Sequence, residues 1–568
     1  MVKIHELIFL SLSFVLCSCG QPPTVKEEGP FWKDNDSKAI AEPAFDEPSL
    51  AWVSFKRTVP DQFLELLDID RNIRKLLGRP VQAKNTNAFD EVPNSSWFTN
   101  RHGYPLTKMT PKQIMDGVSI TPGPDTSLPW KAFRPKLGGA TPGFWIEDAR
   151  GDQYLIKFDP PANPEMATAA AAMGSRYFHA AGYNVPQETI VYWRKEMLQI
   201  KEGAIIKLPD GNKRELTMSD IDEILSEVHQ TSDGHIRSIA SLYIGNVKGP
   251  FLYDGTNSDD INDWCPHQHR RELRGLRVIA SLVNHYDIKD HNSMNVYIGE
   301  KDQGYLIHFL MDFGSTFGSD GNNAKIPVKG YANLFDLRDV FVSAATIGLK
   351  SWAWEKAKPY QYPSVGYFES DLFKPEKFDP IIPNPAFEQL TDQDSYWGAK
   401  IVLAFDNLDL AALVDAGQFT DNNAAAYLLK TLIERRDKIG RHWFKKVNPL
   451  DFPQVEPTDK EIRIKFVDLW VSSGFSEFST HKYIIRHHGK DIGSEKMAIN
   501  NSIVISKTQI DKMRQEISTS DNKQDRSFFE IYVFSERDGI AWKMPVIFTL
   551  YLGESIDDTR FVKIKHPS

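Results

Sequence analysis

The chain has 568 residues, 41% of them hydrophobic and 12% aromatic, which is material for several cores and a soft expectation of roughly two to four domains. A formal net charge of −9 without a concentrated basic run excludes a general nucleic-acid binder. Of its 3 cysteines, two stand at the extreme N-terminus, which leaves Cys265 alone in the body and no internal disulfide to expect.

The first element in chain order is an address. Lys3 precedes an apolar stretch from Leu7 to Leu16, which runs into Leu16-Cys17-Ser18-Cys19-Gly20. A short basic region, a hydrophobic region and a small-residue cleavage site make a secretory signal over residues 1–18. The stretch is too short to span a bilayer, for which about 20 apolar residues are needed. Its ending resembles the lipobox of bacterial lipoproteins, and that resemblance implies a diacylglycerol on Cys19 as the first mature residue. Two or more acyl chains make a stable anchor where one would be marginal. Gly20 is not the Asp that retains many such lipoproteins at the inner membrane, so the expected address is the cell envelope, with the outer membrane favoured in a host that has two.

Residues 19–50 are rich in Pro, Glu, Asp, Lys and Ser and read as a flexible tether. An N-terminal extension, 51–130, carries a helical patch from Phe63 to Leu77. Strand, turn and strand follow at Phe144–Ile146, Asp148–Asp152 and Tyr154–Phe158. Pro164 opens a helix expected to end near Ala181, because Pro suits the first helical position and Gly182 the end. The pattern then predicts a strand at Glu188–Trp193, a helix at Ser219–His229 capped by Ser219, and a strand at Ile239–Ile244. A long helix from Gln268 to Asn284 has Leu273, Leu276, Ile279, Ala280 and Val283 at helical spacing. Strands at Asn295–Ile298 and Tyr305–Met311 come next, then helices at Asp336–Leu349, Asp394–Phe405 and Asn423–Lys446. From about Glu456, Ile462, Ile464 and Phe466 alternate with Arg463 and Lys465, and Phe529, Ile531 and Val533 repeat the period of two, which predicts a small β-rich domain over 455–568.

The chemistry gathers at the end of the long helix. His285-Tyr286-Asp287-Ile288-Lys289-Asp290-His291-Asn292 is followed twenty residues later by Asp312-Phe313-Gly314. These strings resemble the catalytic loop and the metal-binding motif of the protein-kinase superfamily. Upstream, Lys157 lies on an apolar strand, Glu165 is the sole acidic residue of the next helix, and Lys136-Leu137-Gly138-Gly139-Ala140-Thr141-Pro142-Gly143 precedes both. The order of these parts over residues 131–450 is that of the superfamily. The abrupt step from lysine strand to helix, and the ending Ala-Ala-Gly-Tyr-Asn-Val-Pro186, resemble the atypical HipA and spore-coat CotH kinases. Two departures stand out: Lys157 and Glu165 are only 8 positions apart, and no Ala-Pro-Glu follows Asp312.

The resemblance implies an α+β, two-lobed protein-kinase-like fold, with a small β-rich lobe and a larger helical lobe, ahead of the C-terminal domain. It implies ATP and Mg²⁺ as cofactors, with Lys157, Glu165, Gly138, Gly139 and Gly143 at the nucleotide and Asn292 and Asp312 at the metal. Asp287 would act on the acceptor hydroxyl, and Lys289 would steady the transferred phosphate. Phosphoryl transfer needs such residues because it is mostly positioning and charge neutralisation. The frame is ambiguous by itself: Asp290 and Asn295 repeat the spacing of Asp287 and Asn292, although only the first frame places His285 and Lys289 suitably, and it is favoured.

Other clusters read as structural. Cys265, His267 and His269 stand at a helix entrance without a fourth ligand, Ser95-Ser96-Trp97 reads as a packed loop, and His481, His487 and His488 as an exposed strand. The expected function is an extracytoplasmic, membrane-anchored phosphotransferase acting on an unidentified acceptor. A kinase-fold binding protein without turnover and an adhesive surface lipoprotein are the alternatives.

Overall fold

The computed structural model describes residues 33–568 apart from 47, 104–106, 137–140, 208–211, 336–351 and 520–526. The signal, Cys19, Gly138, Gly139 and the helix expected at Asp336–Leu349 lie outside the described residues. Within them the molecule is α+β, with a β-rich lobe, a helical lobe and a C-terminal β domain.

The expected tether over 19–50 is corrected from its midpoint onward, because residues 33–46 are bound along the body. The Ser96 amide donates to Asp36, Lys38 is held by Asn262, and Ile40 bridges to Gly304. Tyr297 donates its hydroxyl to the Ile40 carbonyl at 3.0 Å. A stretch poor in aliphatics is thus fixed by polar contacts, which a hydropathy pattern does not register. The extension continues through α1 (Leu50–Thr58), α2 (Pro60–Leu67), α3 (Ile69–Leu76) and α4 (Pro111–Asp116). Between α3 and α4, Trp97 is buried, stacked on His308 at 3.5 Å and covered by the Arg270 guanidinium, while Phe98 enters the main core.

The β-rich lobe is built from β1 (Trp130–Pro135), β2 (Gly143–Glu147), β3 (Gln153–Phe158), α5 (Met166–Ala180), β4 (Glu188–Trp193), β5 (Leu198–Ile200), the hairpin β6 (Ile205–Lys207) and β7 (Lys213–Glu215), α6 (Met218–Ser226) and β8 (Ile236–Leu242). Six strands form one sheet in the order β4-β8-β3-β2-β1-β5, antiparallel except for β1 beside β5. One face buries Trp130, Phe144, Ile156 and Trp193. The other is covered by α5, whose alanines bring Ala171 and Ala172 against Ile190 and Ile239. The cap of α6 is Thr217, not Ser219: Asp220 accepts from the Thr217 amide at 2.8 Å and hydroxyl at 2.7 Å. Such a reciprocal pair ends the fraying of the first turn.

The helical lobe follows. A 3₁₀ turn at His267–His269 precedes α7 (Arg271–Leu282), so the long helix begins three residues later than expected. Its start is set by Asn85, whose side-chain oxygen accepts the Arg271 amide at 2.8 Å from 186 positions away. Next come the antiparallel hairpin β9 (Ser293–Ile298) and β10 (Tyr305–Leu310), then α8 (Asp392–Ala404), α9 (Asn407–Asp415) and α10 (Asn422–Trp443). These three helices open on Thr391, Asp406 and Asp421, oxygen side chains that take up the free amides of a first turn. Helices α7 and α8 cross at two glycines. A Cβ on Gly275 would stand 2.6 Å from the Trp397 ring, and one on Gly398 would stand 2.9 Å from the Gly275 carbonyl.

In the C-terminal domain, from Leu450, a three-stranded and a seven-stranded sheet share one core. The alternation of residues 480–487 turns His481, Tyr483, Ile485 and His487 inward, which corrects the expected exposed strand for His481 and His487; His488 remains outside. His481 is held by Ser535 and Asn501. The domain is fastened to the helical lobe by buried polar groups: Tyr396 donates to Asp451 at 3.0 Å, Lys400 joins Asp451 to Glu91, and His566 pairs with Asp90.

Asp394 is fully buried between Arg271 (3.1 Å) and Arg274 (3.2 Å) where the extension, α7 and α8 meet. Removing one partner of a buried ion pair leaves uncompensated charge and costs about 3–5 kcal/mol. Asp394→Ala is expected to lower unfolding free energy by that amount in denaturant titration, with Asp394→Asn losing less.

Candidate active site

The site begins with a strand pair that only glycine permits. Gly143 on β2 lies opposite Lys157 on β3, and a Cβ at Gly143 would stand 2.4 Å from the Ile156 carbonyl oxygen. The loop that joins β1 to β2 is closed by the Lys136 amide donating to Gly143 and by the Lys136 ammonium donating to the Thr141 carbonyl at 2.8 Å. The role expected for Gly143 at a phosphate therefore sits beside a packing requirement of its own.

Lys157 is buried, and its ammonium meets the Asp312 carboxylate at 3.2 Å across the two lobes. Burial pulls the Lys157 pKa down, but the nearby Asp312 and Glu188 carboxylates outweigh it and hold the group above its ordinary value. The Asp312 carboxyl is held below the usual range, chiefly by Lys157. Its side chain is half exposed (50%). Asp312 adopts φ +60°, a left-handed conformation uncommon for a non-glycine residue. What holds it there is the next residue: Phe313 is fully buried, stacked on Phe178 of α5 at 5.1 Å and tilted against His285 at 5.7 Å. Gly174 makes room for it, since a Cβ there would lie 2.6 Å from the Phe313 Cβ.

The segment after α7 supplies the second half. Lys289 pairs with Asp287 at 2.6 Å, and the Asn292 amide donates to the Asp287 carboxylate at 3.0 Å and to its carbonyl at 2.8 Å. The Met311 amide donates to the Asn292 carbonyl at 3.1 Å, which ties this segment to the residue before Asp312. The competing frame is engaged elsewhere. Asp290 is buried, accepts the Tyr253 amide at 2.9 Å and faces Arg57 at 3.6 Å. Asn295 is held by His308 and the Pro250 carbonyl. Asp287 and Asn292 are bonded to each other and, through the Met311 amide, to the segment that carries Asp312.

Glu165 is not the partner of Lys157. It stands at the N-cap of α5 with φ +69°, and its carboxylate accepts the Thr420 amide at 3.1 Å. Eight residues is too short a path to bring a helix-start side chain back over a mid-strand lysine. Glu188, the first residue of β4, is the carboxylate of this lobe that acts on Lys157 through space: it is buried, accepts from Ser241 at 2.6 Å, and its second oxygen has no hydrogen-bond partner. Burial raises its pKa against the pull of Lys157. The signal that could have found it is an acidic residue opening the otherwise apolar strand Glu188-Thr189-Ile190-Val191-Tyr192-Trp193. Lys136 was also missed as a charge. Burial and the neighbouring Lys157 lower its pKa, with Asp312 opposing, so a second cation stands beside the Lys157–Asp312 pair.

Two ammonium groups, a half-exposed carboxylate, a buried carboxylate with a free oxygen and an adjacent amide suit a polyphosphate with a hard divalent cation. Mg²⁺ takes one or two carboxylates and completes its shell with phosphate oxygens and water. Among the described residues, no three His, Cys, Asp or Glu side chains gather into a ready-made metal cage. At the helix entrance, His267 is occupied by Asp263 at 2.8 Å and by the Leu252 carbonyl. A separate cavity of about 630 Å³, lined by Phe98, Arg101, Trp397, Leu403, Arg436 and Phe452, lies away from this cleft.

No protein-family profile matches the chain, and neither does any curated protein. Solved structures that match include the proinflammatory kinase CtkA of Helicobacter pylori, 12% identical over 56% of this chain and 98% of its own, with a TM-score of 0.30. Two structures of the Golgi casein kinase match at 11% identity. One covers 71% of this chain and 90% of its own (TM-score 0.26); the other, with Mn and ADP bound, covers 56% and 72% (TM-score 0.25).

His285 couples this cleft to pH. Burial, with Lys325 adding, pushes its pKa down to about 3. An unfolded imidazole takes its proton near pH 6.5. The stability tied to the neutral ring is therefore complete above that pH and is lost as pH falls toward 3, because the unfolded chain binds the proton first. His481, pushed down to about 4 by burial, has the same sign. The denaturation midpoint is expected to drop between pH 7 and pH 4.5, and His285→Leu to flatten part of that slope.

Proposed function

We propose that the chain is an ATP- and Mg²⁺-dependent phosphotransferase of the atypical kinase type, carried outside the cytoplasm on a lipid-modified Cys19. The observation that carries the reading is convergence: Lys157, Asp287, Lys289, Asn292 and Asp312 come from positions up to 155 residues apart, and hydrogen bonds link them into two adjoining groups on one cleft. In this reading Lys157 and Lys136 bind the nucleotide phosphates, and Glu188 keeps Lys157 charged and aimed. Asp312 and the Asn292 amide oxygen would hold Mg²⁺, which when bound neutralises phosphate charge. The Asn292 side chain would turn from Asp287 to do so. Asp287 accepts the proton of the acceptor hydroxyl, and Lys289, 2.6 Å from it, swings to the transferred phosphoryl group. The chemistry asked of the protein is positioning and charge stabilisation, which this set of side chains provides. No helix among the described residues is long and apolar enough to cross a membrane.

ATP with Mg²⁺ should raise the melting temperature of the protein, since a ligand at 100 times its dissociation constant contributes about 2.7 kcal/mol. Lys157→Ala and Glu188→Gln should weaken the shift, Asp312→Ala should remove its Mg²⁺ dependence, and Glu165→Ala should leave it intact. Asp287→Ala should bind normally and transfer nothing, because a group acting on the acceptor matters in the transition state. Binding without transfer in the wild type would favour the kinase-fold binding protein instead. The anchor has its own measurement: cells fed a fatty-acid analogue should label the wild-type chain, and Cys19→Ala should abolish the label.

A further inference from the structure

We infer that α1–α3 form a lipid-binding face that seats the body on the bilayer surface. The helices are amphipathic the wrong way round for a soluble protein. On α3 and the residue after it, Ile69, Ile73, Leu76 and Leu77 follow a spacing of four, three and one, which is one helical stripe, and all four point to solvent. On α2, Phe63, Leu64 and Leu67 do the same, and on α1 the exposed rings of Trp52 and Phe55 lie 5.6 Å apart. These nine side chains are 46–86% exposed. Apart from the buried Val53, the helices hold the body by polar side chains. Arg57 is buried against Asp254 and Asp290, Arg71 donates to the Glu388 carbonyl at 2.8 Å, and Gln62 donates to the Phe335 carbonyl at 2.7 Å. A surface helix of a soluble protein turns its apolar stripe inward, so a contiguous outward patch of this kind marks an interaction site.

The make-up of the face and its distance from the proposed anchor point to lipid as the occupant. Of the six Lys and Arg in residues 50–79, Arg57 and Arg71 are buried against acids of the body, which leaves four basic residues against the four Asp and Glu, a locally neutral segment in a chain of net charge −9. Lys56, Arg74 and Arg79 reach solvent among the apolar side chains, and the combination of Trp, Phe and Leu with basic residues is that of helices lying in the interface plane. The placement also rests on the Cys19 anchor proposed above. Lys33, the first described residue, is 14 positions from Cys19, and at about 3.5 Å per residue the patch-bearing body stays within roughly 50 Å of the anchor. A single lipid attachment lets the body tumble; a second contact through α1–α3 would fix which face the cleft presents.

The test uses the mature chain from residue 19 with Cys19→Ser, so that no lipid contributes, floated with vesicles of phosphatidylethanolamine and phosphatidylglycerol. The unlipidated chain is expected to float, and Leu64→Glu/Leu67→Glu/Leu76→Glu is expected to lower its vesicle affinity about tenfold or more. Because the three positions are exposed, the triple variant should keep its melting temperature. Absence of flotation, or equal flotation of the variant, overturns the proposal. So does a wild-type dimer that the variant converts to monomer, which would assign the patch to a second copy. A variant with a lowered melting temperature and no vesicle binding in the wild type would assign it to a segment of this chain such as 336–351. Vesicle binding is read without nucleotide and without the acyl group, so its failure leaves the phosphotransfer and anchor readings standing.

Discussion

The cleft depends on one ion pair that neither lobe can form alone. Lys157 is carried on the sheet of the β-rich lobe and Asp312 on the segment after β10, and they meet at 3.2 Å. A buried ammonium without a counter-charge would cost several kcal/mol or lose its proton. Glu188 of the same lobe supplies part of that counter-charge, and Asp312, at φ +60°, supplies the direct ion pair across the lobes. Phe313 holds Asp312 there by filling the space that Gly174 leaves between α5 and His285. A hydrophobic contact thus determines where a carboxylate points.

The same logic joins the rest of the chain to the cleft. The extension, the helical lobe and the C-terminal domain share one apolar core, to which Val92, Phe98, Trp397 and Trp470 all belong, and buried charges and hydrogen bonds cross the same junctions. Asp90 contacts both Arg271 of α7 and His566 near the C-terminus, and Lys400 of α8 joins Glu91 to Asp451. Such networks are expensive to break one partner at a time, because each loss strands the others in a medium of low polarity. α7, whose end leads into His285 and Asp287, is gripped at its start by Asn85, Asp90 and Asp394. The placement of the catalytic-type residues is in this sense an output of the N-terminal extension as well as of the lobe that carries them.

Helices α1–α3 show the opposite balance. Arg57, Arg71 and Gln62 are spent on the body while nine large apolar side chains are left in water, an arrangement that costs stability unless another phase covers it. The structural cleft and the apolar face belong to different parts of the chain, and both lie downstream of the same N-terminal cysteine.

Periodicity and local motif alone determined a good deal. The alternations at Phe144–Phe158, Ile462–Phe466 and Phe529–Val533 place strands, the stripe on α7 places a helix, and the strings 285–292 and 312–314 mark the cleft, because neighbours in sequence impose period, caps and turns directly. Partnerships between distant residues were decided only by the tertiary structure. Glu165 is the sole acid of the helix that follows the Lys157 strand, but the carboxylate that acts on Lys157 from its own lobe is Glu188, since strand order in the sheet sets distance across it. The two frames at 287–295 are equivalent by spacing, and they separate only because Arg57, Tyr253 and His308 approach Asp290 and Asn295 from remote segments. The inward turn of His481 and His487 and the binding of residues 33–46 to the body follow from which surface each segment meets. Hydropathy records what a side chain prefers, whereas burial is fixed by what packs against it.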